Sequence, residues 1–185
     1  MSELTRDEIL EKIRAGESFE GVDLTGADLS YETLKGANLA SANLSEAHLQ
    51  NSNLQEANLS GANLSHAFMF GCNLYKANLD GVHGEDVNMQ DSNLEDATIK
   101  EADLYHVALL GSTLNHADFS NSKLVRARLK RASLRGCKFD GANLENAHLV
   151  RSNLTNASFK NANLSGATMK NAVTEGADFE GAQGL

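Results

Sequence analysis

An apolar residue recurs at every fifth position through most of this 185-residue sequence. The apolar column runs from Phe19 to Phe179, and only Gly84 and Thr174 interrupt it. A small residue, most often Ala, stands two positions earlier, so the unit reads Ala-(Asn/Asp)-Leu-x-x. A period of five fits neither the roughly 3.6-residue repeat of a helix nor the two-residue alternation of a strand. It predicts a chain that turns a corner in every repeat.

A second period of twenty residues lies within the first. Rare core residues are expected to stack on themselves in successive coils, so their spacing reports how many repeats make one turn. The five central Phe residues share one of the four possible columns: Phe19, Phe119, Phe139, Phe159 and Phe179. The three central Met residues share another: Met69, Met89 and Met169. Four repeats are therefore predicted to make one turn.

The units "GADLS", "GANLA", "SANLS" and "EANLS" resemble the pentapeptide-repeat family across about residues 17 to 183. The resemblance implies an all-β fold, a right-handed quadrilateral β-helix with the central and small residues inward and the other three outward. We expect a solenoid at 17–185 of about eight coils of 20 residues, about 40 Å long at the usual strand spacing. Solenoids of this kind are stabilised by contacts between neighbouring coils and need capped ends.

Residues 1–16 carry the signature of an N-terminal capping helix. Thr5 and Glu8 match a capping box, Ile9, Leu10 and Ile13 form one apolar stripe, and a glycine follows at position 16. We predict a helix over about 6–15 that lies on the first coil and covers its open edge.

The C-terminal end lacks such a signal. Thr174 and Gly184 weaken the inward columns, and no helical pattern is visible in "NAVTEGADFEGAQGL". In the family that the chain resembles, C-terminal ends often pair, so a homodimer through the C-terminal coil is one expectation.

Residues able to support chemistry are frequent but fall at positions that the repeat explains. All six His residues are predicted to point outward, and His66, Asp86 and His106 share one column. We interpret this column as a solvated polar ladder, because a metal site needs an enclosing shell of ligands. The sequence predicts no catalytic, cofactor-binding or metal-binding residues, and no enzyme.

The inward polar residues are interpreted as structural. Cys72 and Cys137 lie about 3.25 coils apart, roughly 15 Å along the axis, and are predicted to be free thiols. Ser52, Ser92, Ser112 and Ser152 share one column and are expected to bond the backbone. At "DGVHGED", residues 80–86, Gly84 leaves the core column empty. A bulge and an acidic ion site both stay open there, and a local distortion is favoured.

One side of the rod carries the candidate partner surface. Outward aromatic residues are few, and Phe68 and Phe70 flank the inward Met69. Phe70 shares a column with Leu110 and Val150, which predicts a loosely apolar strip. The basic residues that gather on the same side are Arg126, Arg128, Lys130, Arg131 and Arg151. They indicate either a contact for an anionic partner or a solvated basic belt, and the belt is favoured.

Charge separates two hypotheses of function. The chain has a net charge of −9. Residues 1–110 contain 19 acidic and 6 basic residues, whereas residues 111–185 contain 6 and 10. The first hypothesis is a non-enzymatic structural or protein-interaction module whose protein partner is unknown. The alternative, which the resemblance suggests, is a DNA mimic that binds DNA gyrase through the acidic N-terminal half, where the charge density approaches that of duplex DNA, about one charge per 1.7 Å.

Location and remaining partners follow from what the sequence lacks. No apolar run approaches the roughly 18 residues of a membrane span, and "MSELTRDEIL" is too acidic for a signal peptide. We expect a cytoplasmic protein with no membrane contact and no direct binding to nucleic acid.

Overall fold

The computed structural model describes residues 4–184. Three residues of the predicted N-terminal segment 1–16, and the last residue of the predicted solenoid 17–185, therefore lie outside the described residues. One helix, α1, spans Arg6–Arg14, and no helix in the described part is both long and apolar enough to cross a membrane.

The rest of the described chain is a ladder of short parallel bridges. Each bridge joins an outward residue to the residue twenty positions later, from Asp23 and Asn43 to Asn163 and Gln183, with one bridge every five residues. Backbone hydrogen bonds run beside them, as from Leu24 N to Asn43 O at 2.8 Å and from Asn43 N to Val22 O at 3.0 Å. One turn therefore takes twenty residues and has four sides, as the columns of Phe and Met predict.

Each side ends at a two-residue corner, and a backbone hydrogen bond closes most of these corners. At one of them Ala27 N donates to Leu24 O at 3.0 Å, and Gly26 between them has φ +65°. Every fifth residue from 21 to 181 has positive φ, including bulky ones such as Tyr31 at 62°. Positive φ at the third residue is the mark of a type II turn, which favours Gly or Asn. The Gly and Asn residues that recur at this position are the sequence signal for these turns. The five-residue apolar period alone does not reveal them.

The core is the stack of inward columns. The central residues from Phe19 to Leu164 are buried throughout. The rings of Phe119, Phe139 and Phe159 stack at centroid distances of 5.4 and 4.9 Å. Large residues of one shape repeat in one column because each coil must present a matching surface to the next.

Helix α1 begins and ends close to the predicted bounds, one residue short at its C-terminal end. Thr5 N donates to Glu8 Oε2 at 2.8 Å, and Glu8 N donates to Thr5 Oγ1 at 3.4 Å, so the capping box forms. Ile9 and Leu10 are buried against the solenoid core. Arg6 holds the helix to the coil below through Asp28 at 2.9 Å and Glu32 at 2.8 Å.

Gly84 causes a local distortion without an inserted residue. The ladder passes through unbroken, since His83 bridges both Asn63 and Asp103, so this segment is not a bulge. A Cβ at Gly84 would lie 2.4 Å from Val87 Cγ2. Val87, which is fully buried, therefore fills the space that a Leu side chain occupies in other coils.

The C-terminal coil is the least buried. Met169 and Phe179 are only partly buried, and Thr174 is exposed. Phe179 still stacks on Phe159 at 5.0 Å. Within residues 4–184, nothing covers the outer edge of this coil.

Candidate protein-interaction surface

One flat side of the solenoid carries most of the candidate residues. We call it the Phe-Arg face and define it by the residues 27–31, 47–51, 67–71, 87–91, 107–111, 127–131, 147–151 and 167–171. Bridges along the face link Phe68 through Asn88 and Ala108 to Arg128. Phe68 and Arg128 are thus in one column, three coils or about 14 Å apart. Arg126 occupies the corner before this face.

The apolar part of the Phe-Arg face is two separate patches. Phe68 and Phe70 are 42% and 41% exposed, and the ring of His48 lies 4.9 Å from that of Phe68. Leu110 is half-buried two coils further along. Gln90 lies between Phe70 and Leu110, so a polar side chain interrupts the loosely apolar strip that the sequence predicts.

The basic part begins one coil beyond Leu110. Lys130, Arg131 and Arg151 are exposed, and Arg128 is half-buried. Arg126 donates to Tyr105 Oη at 2.9 Å, a partner that the sequence did not suggest. Within the described residues, none of these five cations has a carboxylate oxygen within 4.0 Å.

Two hollows lie among these cations. The larger is a groove along the corner, lined by His106, Arg126, Arg128, Asn146, His148 and Gly166. The smaller is lined by Asp91, Leu110, Gly111, Lys130 and Arg131. His106 and His148 were not assigned to this surface from the sequence, although the twenty-residue register places His148 directly beside Arg128. The cations therefore border concave surfaces that an acidic group can enter.

The polar column of His66, Asp86 and His106 is only partly connected. His106 Nδ1 hydrogen-bonds Asp86 Oδ1, and both side chains are nearly half exposed. Among residues 4–184 no group of three or more His, Cys, Asp or Glu side chains is arranged to hold a metal ion.

The inward Ser and Cys residues bond the backbone or one another. Ser92 Oγ donates to Met69 O at 2.9 Å, and Ser112 Oγ donates to Met89 O at 2.8 Å. Cys72 and Cys137 are free and buried. Burial raises the pKa of the Cys72 thiol, and raises the pKa of the Cys137 thiol well above its ordinary value. Neither thiol is prepared to act as a nucleophile, because the reactive form is the thiolate.

Comparison with known families assigns the repeat directly. A family model for a pentapeptide repeat region matches residues 112–183. A second model, for pentapeptide repeats in eight copies, matches residues 18–55, 33–69 and 69–104. Among curated proteins none matches the chain.

Several solved structures match over most of the chain. HetL, a pentapeptide repeat protein involved in heterocyst differentiation regulation from the cyanobacterium Nostoc sp. Strain PCC 7120, is 25% identical, with 98% of this chain and 99% of HetL covered and a TM-score of 0.37. Full-length QnrB1, a plasmid-mediated fluoroquinolone resistance protein, is 13% identical over 87% of this chain and 92% of its own, with a TM-score of 0.32. Rfr23 from the cyanobacterium Cyanothece 51142 is 21% identical over 94% and 95%, with a TM-score of 0.22.

The overall superpositions are loose, so the assignment depends on the repeat itself. The two family models together cover both halves of the solenoid, and the twenty-residue ladder gives every repeat the same place in a four-sided coil. The chain belongs to the pentapeptide-repeat family, whose members of known structure are right-handed quadrilateral β-helices.

Proposed function

We propose that this protein is a non-enzymatic, cytoplasmic interaction module that presents the Phe-Arg face to a protein partner. The observation that carries the proposal is the presence of exposed Phe68 and Phe70 on the same side as Arg128 and Arg131, which have no carboxylate partner in the described part of the chain. Aromatic residues and Arg are enriched in protein interfaces, and exposed apolar patches mark contact sites. The partner itself is unknown.

The backbone of this face supports a binding role. From His48 to His148, each residue at the middle of the side is bridged to the coils before and after it. A surface held in this way has little conformational freedom to lose when a partner binds, which favours affinity.

The arrangement of acidic residues supports the gyrase alternative less well. Several carboxylates of the N-terminal half are already paired with cations, as Asp28 and Glu32 are with Arg6. Asp80 and Asp103 pair with Lys100 and Lys123 one coil further on. Pairing reduces the negative field that a mimic of duplex DNA requires.

The exposed C-terminal coil supports a homodimer as part of the same proposal. Met169 and Phe179 are less buried than their equivalents in earlier coils, so pairing with a second copy would bury them. Sedimentation of the intact protein over a range of concentrations tests this point. A purely monomeric species at all concentrations would rule the dimer out.

Site-specific photocrosslinking tests the interaction surface. A photoreactive phenylalanine analogue at position 70 is expected to trap one defined protein in cells, identified by mass spectrometry. The matched control places the analogue at position 55, at the same place in the repeat but on the next side. The crosslink at 70 should disappear when Phe68→Ser and Arg128→Glu are added.

The result decides between the candidates. Equal trapping at 55 and 70, or trapping unaffected by the two substitutions, would remove the Phe-Arg face from the function. Trapping of gyrase at acidic positions, together with inhibition of its supercoiling activity by the pure protein, would establish the alternative.

A further inference from the structure

The basic residues of this chain divide into paired and unpaired groups. All sixteen Lys and Arg residues lie within the described chain. Eight of them have a carboxylate oxygen within 4.0 Å: Arg6, Lys12, Arg14, Lys35, Lys100, Lys123, Lys138 and Lys160. Of those with no such partner among residues 4–184, six lie on the Phe-Arg face or at its corner: Arg126, Arg128, Lys130, Arg131, Arg151 and Lys170.

On the other sides, pairing between coils follows a simple rule. A Lys commonly contacts the Asp that stands about one coil earlier, as Lys123 does with Asp103 at 2.9 Å. Lys100 contacts Asp80 in the same way at 3.3 Å. These contacts are available because residues twenty positions apart lie about 4.8 Å apart.

The Phe-Arg face does not follow this rule. The bridge partners of Arg128 are Ala108 and His148. Arg131 is followed one coil later by Arg151, so two residues of like charge stand on neighbouring coils, whose backbones are about 4.8 Å apart. Such a placement is unfavourable in the free protein, and an external anion would relieve it.

The hollows give an anion more than one contact. Arg126, Arg128, His106 and His148 border one groove, and Lys130 and Arg131 border the other with Leu110. Asp91 is the carboxylate that lines the smaller hollow, and it forms no ion pair with a described residue within 4.0 Å. A carboxylate entering from outside can therefore meet two cations at once.

We infer that the cationic end of the Phe-Arg face binds an acidic segment of a partner protein. The inference rests on the proposed function and names the chemistry of the partner. The segment lies along the rod, with acidic side chains on the coils of Arg128 and Arg151 and apolar side chains toward Leu110 and Phe70.

Charge favours a protein segment over a nucleic acid. The cations occupy about three coils, or about 14 Å, whereas a nucleic acid carries charge along its whole length, at about one charge per 1.7 Å in a duplex. A nucleic-acid strand extending along the rod would reach residues 1–110. There 19 acidic residues outnumber 6 basic ones, and this excess of negative charge repels the strand. The acidic part of the proposed segment ends before that half, and only its apolar side chains extend toward Leu110 and Phe70.

The test uses the intact protein and a fluorescein-labelled, Glu-rich peptide, with a Gln-rich peptide of the same length as the uncharged reference. Fluorescence polarisation should show binding of the Glu-rich peptide alone, weakening as salt rises. The variant Arg128→Glu, Arg131→Glu, Arg151→Glu should lower affinity at least about tenfold, since several exposed ion pairs are lost together. The matched control Arg135→Glu, Lys138→Glu, Lys160→Glu makes the same change in net charge on other sides of the solenoid. It should lower the affinity for the Glu-rich peptide less than about twofold.

The replacements are chosen to leave the fold intact. Arg131 and Arg151 have positive φ, and Glu46, Glu56 and Glu101 occupy equivalent corners in this chain. Far-UV circular dichroism of both variants should match that of the original protein. The melting temperature of the variant on the Phe-Arg face should stay close to the original, whereas the control variant is expected to melt somewhat lower because it loses the ion pairs of Lys138 and Lys160.

Four results would overturn the inference. They are equal binding of the Gln-rich peptide, equal loss in the control variant, tighter binding of a DNA or RNA oligonucleotide of similar charge, and self-association that the arginine reversals abolish. If the peptide fails to bind while crosslinking at position 70 persists, the acidic-segment inference fails and the proposed interaction surface stands.

Discussion

The rings of Phe139 and Phe159 stack with centroids 4.9 Å apart and planes inclined by 12°. Phe119 lies on the other side of Phe139 at 5.4 Å, so Phe139 is packed on both faces. Phe179 ends the stack, with a ring neighbour on one face only and partial burial. The same residue type therefore has unequal packing at two places in one column.

Because Phe139 and Phe179 are packed unequally, replacing each by Ala should lower the free energy of unfolding by different amounts. Phe139→Ala should lower the free energy of unfolding by about 3–5 kcal/mol, as for a large buried side chain. Phe179→Ala should cost less than half of that, because the site is already partly open. Urea unfolding followed by circular dichroism measures both. Equal losses would show that the C-terminal coil is as well packed as the interior.

The contact between position 84 and Val87 predicts a compensating pair. Gly84→Leu should destabilise the protein because its Cβ meets Val87 Cγ2 at 2.4 Å. Val87→Ala should cost about 2 kcal/mol by removing buried methyl groups. The double variant restores the usual repeat and should be more stable than either single variant. Thermal unfolding of the four proteins measures the coupling, and strictly additive changes would contradict the packing described for this coil.

The backbone at Tyr31 predicts a stabilising replacement. Its φ is 62° and its side chain is 75% exposed. The packing contacts of this side chain therefore offset little of the strain that positive φ causes. Tyr31→Gly should raise the free energy of unfolding by about 0.5–1 kcal/mol. Tyr75 has the same side chain at the first residue of a corner, without positive φ, and Tyr75→Gly should lower stability by about 1 kcal/mol. Denaturant midpoints distinguish the two, and a loss of stability at both sites would refute the strain at Tyr31.

The hydrogen bonds and charges around Asp28 predict that the stability of the protein depends on acid. Hydrogen bonds from Ser30 Oγ and N, with the nearby Arg6 charge, hold the pKa of Asp28 below its usual value. The unfolded chain then binds this proton more readily than the folded one, so the contribution of Asp28 is complete above about pH 4 and is lost as pH falls through the lowered pKa.

Asp28→Asn tests that contribution. The variant should be less stable than the original protein at neutral pH and should lose less stability on acidification below about pH 4. Chemical unfolding at several pH values provides the curves. Parallel curves for the two proteins would show that Asp28 does not contribute to the acid dependence of stability.

Much of this architecture can be predicted from the sequence, because the repeat has two periods and each of them constrains the fold. A five-residue period assigns the inward positions, and columns such as those of Phe119 and Met69 indicate the twenty-residue turn, since side chains of one shape pack best on themselves. The capping-box residues Thr5 and Glu8 locate α1 by local chemistry alone. The candidate surface is less predictable, because a column states which residues are neighbours and does not state how far Phe68 and Phe70 are exposed or that Arg126 contacts Tyr105.

The sequence alone determined the repeat, the side on which each residue lies and the helix at the N-terminus, because these follow from periods and local hydrogen bonding. Only the tertiary structure decided that Val87 fills the space at Gly84, that corners such as Tyr31 have positive φ, and that Arg128 has no carboxylate partner among residues 4–184. Those outcomes depend on distances between atoms of different coils, which exist only after the coils have stacked.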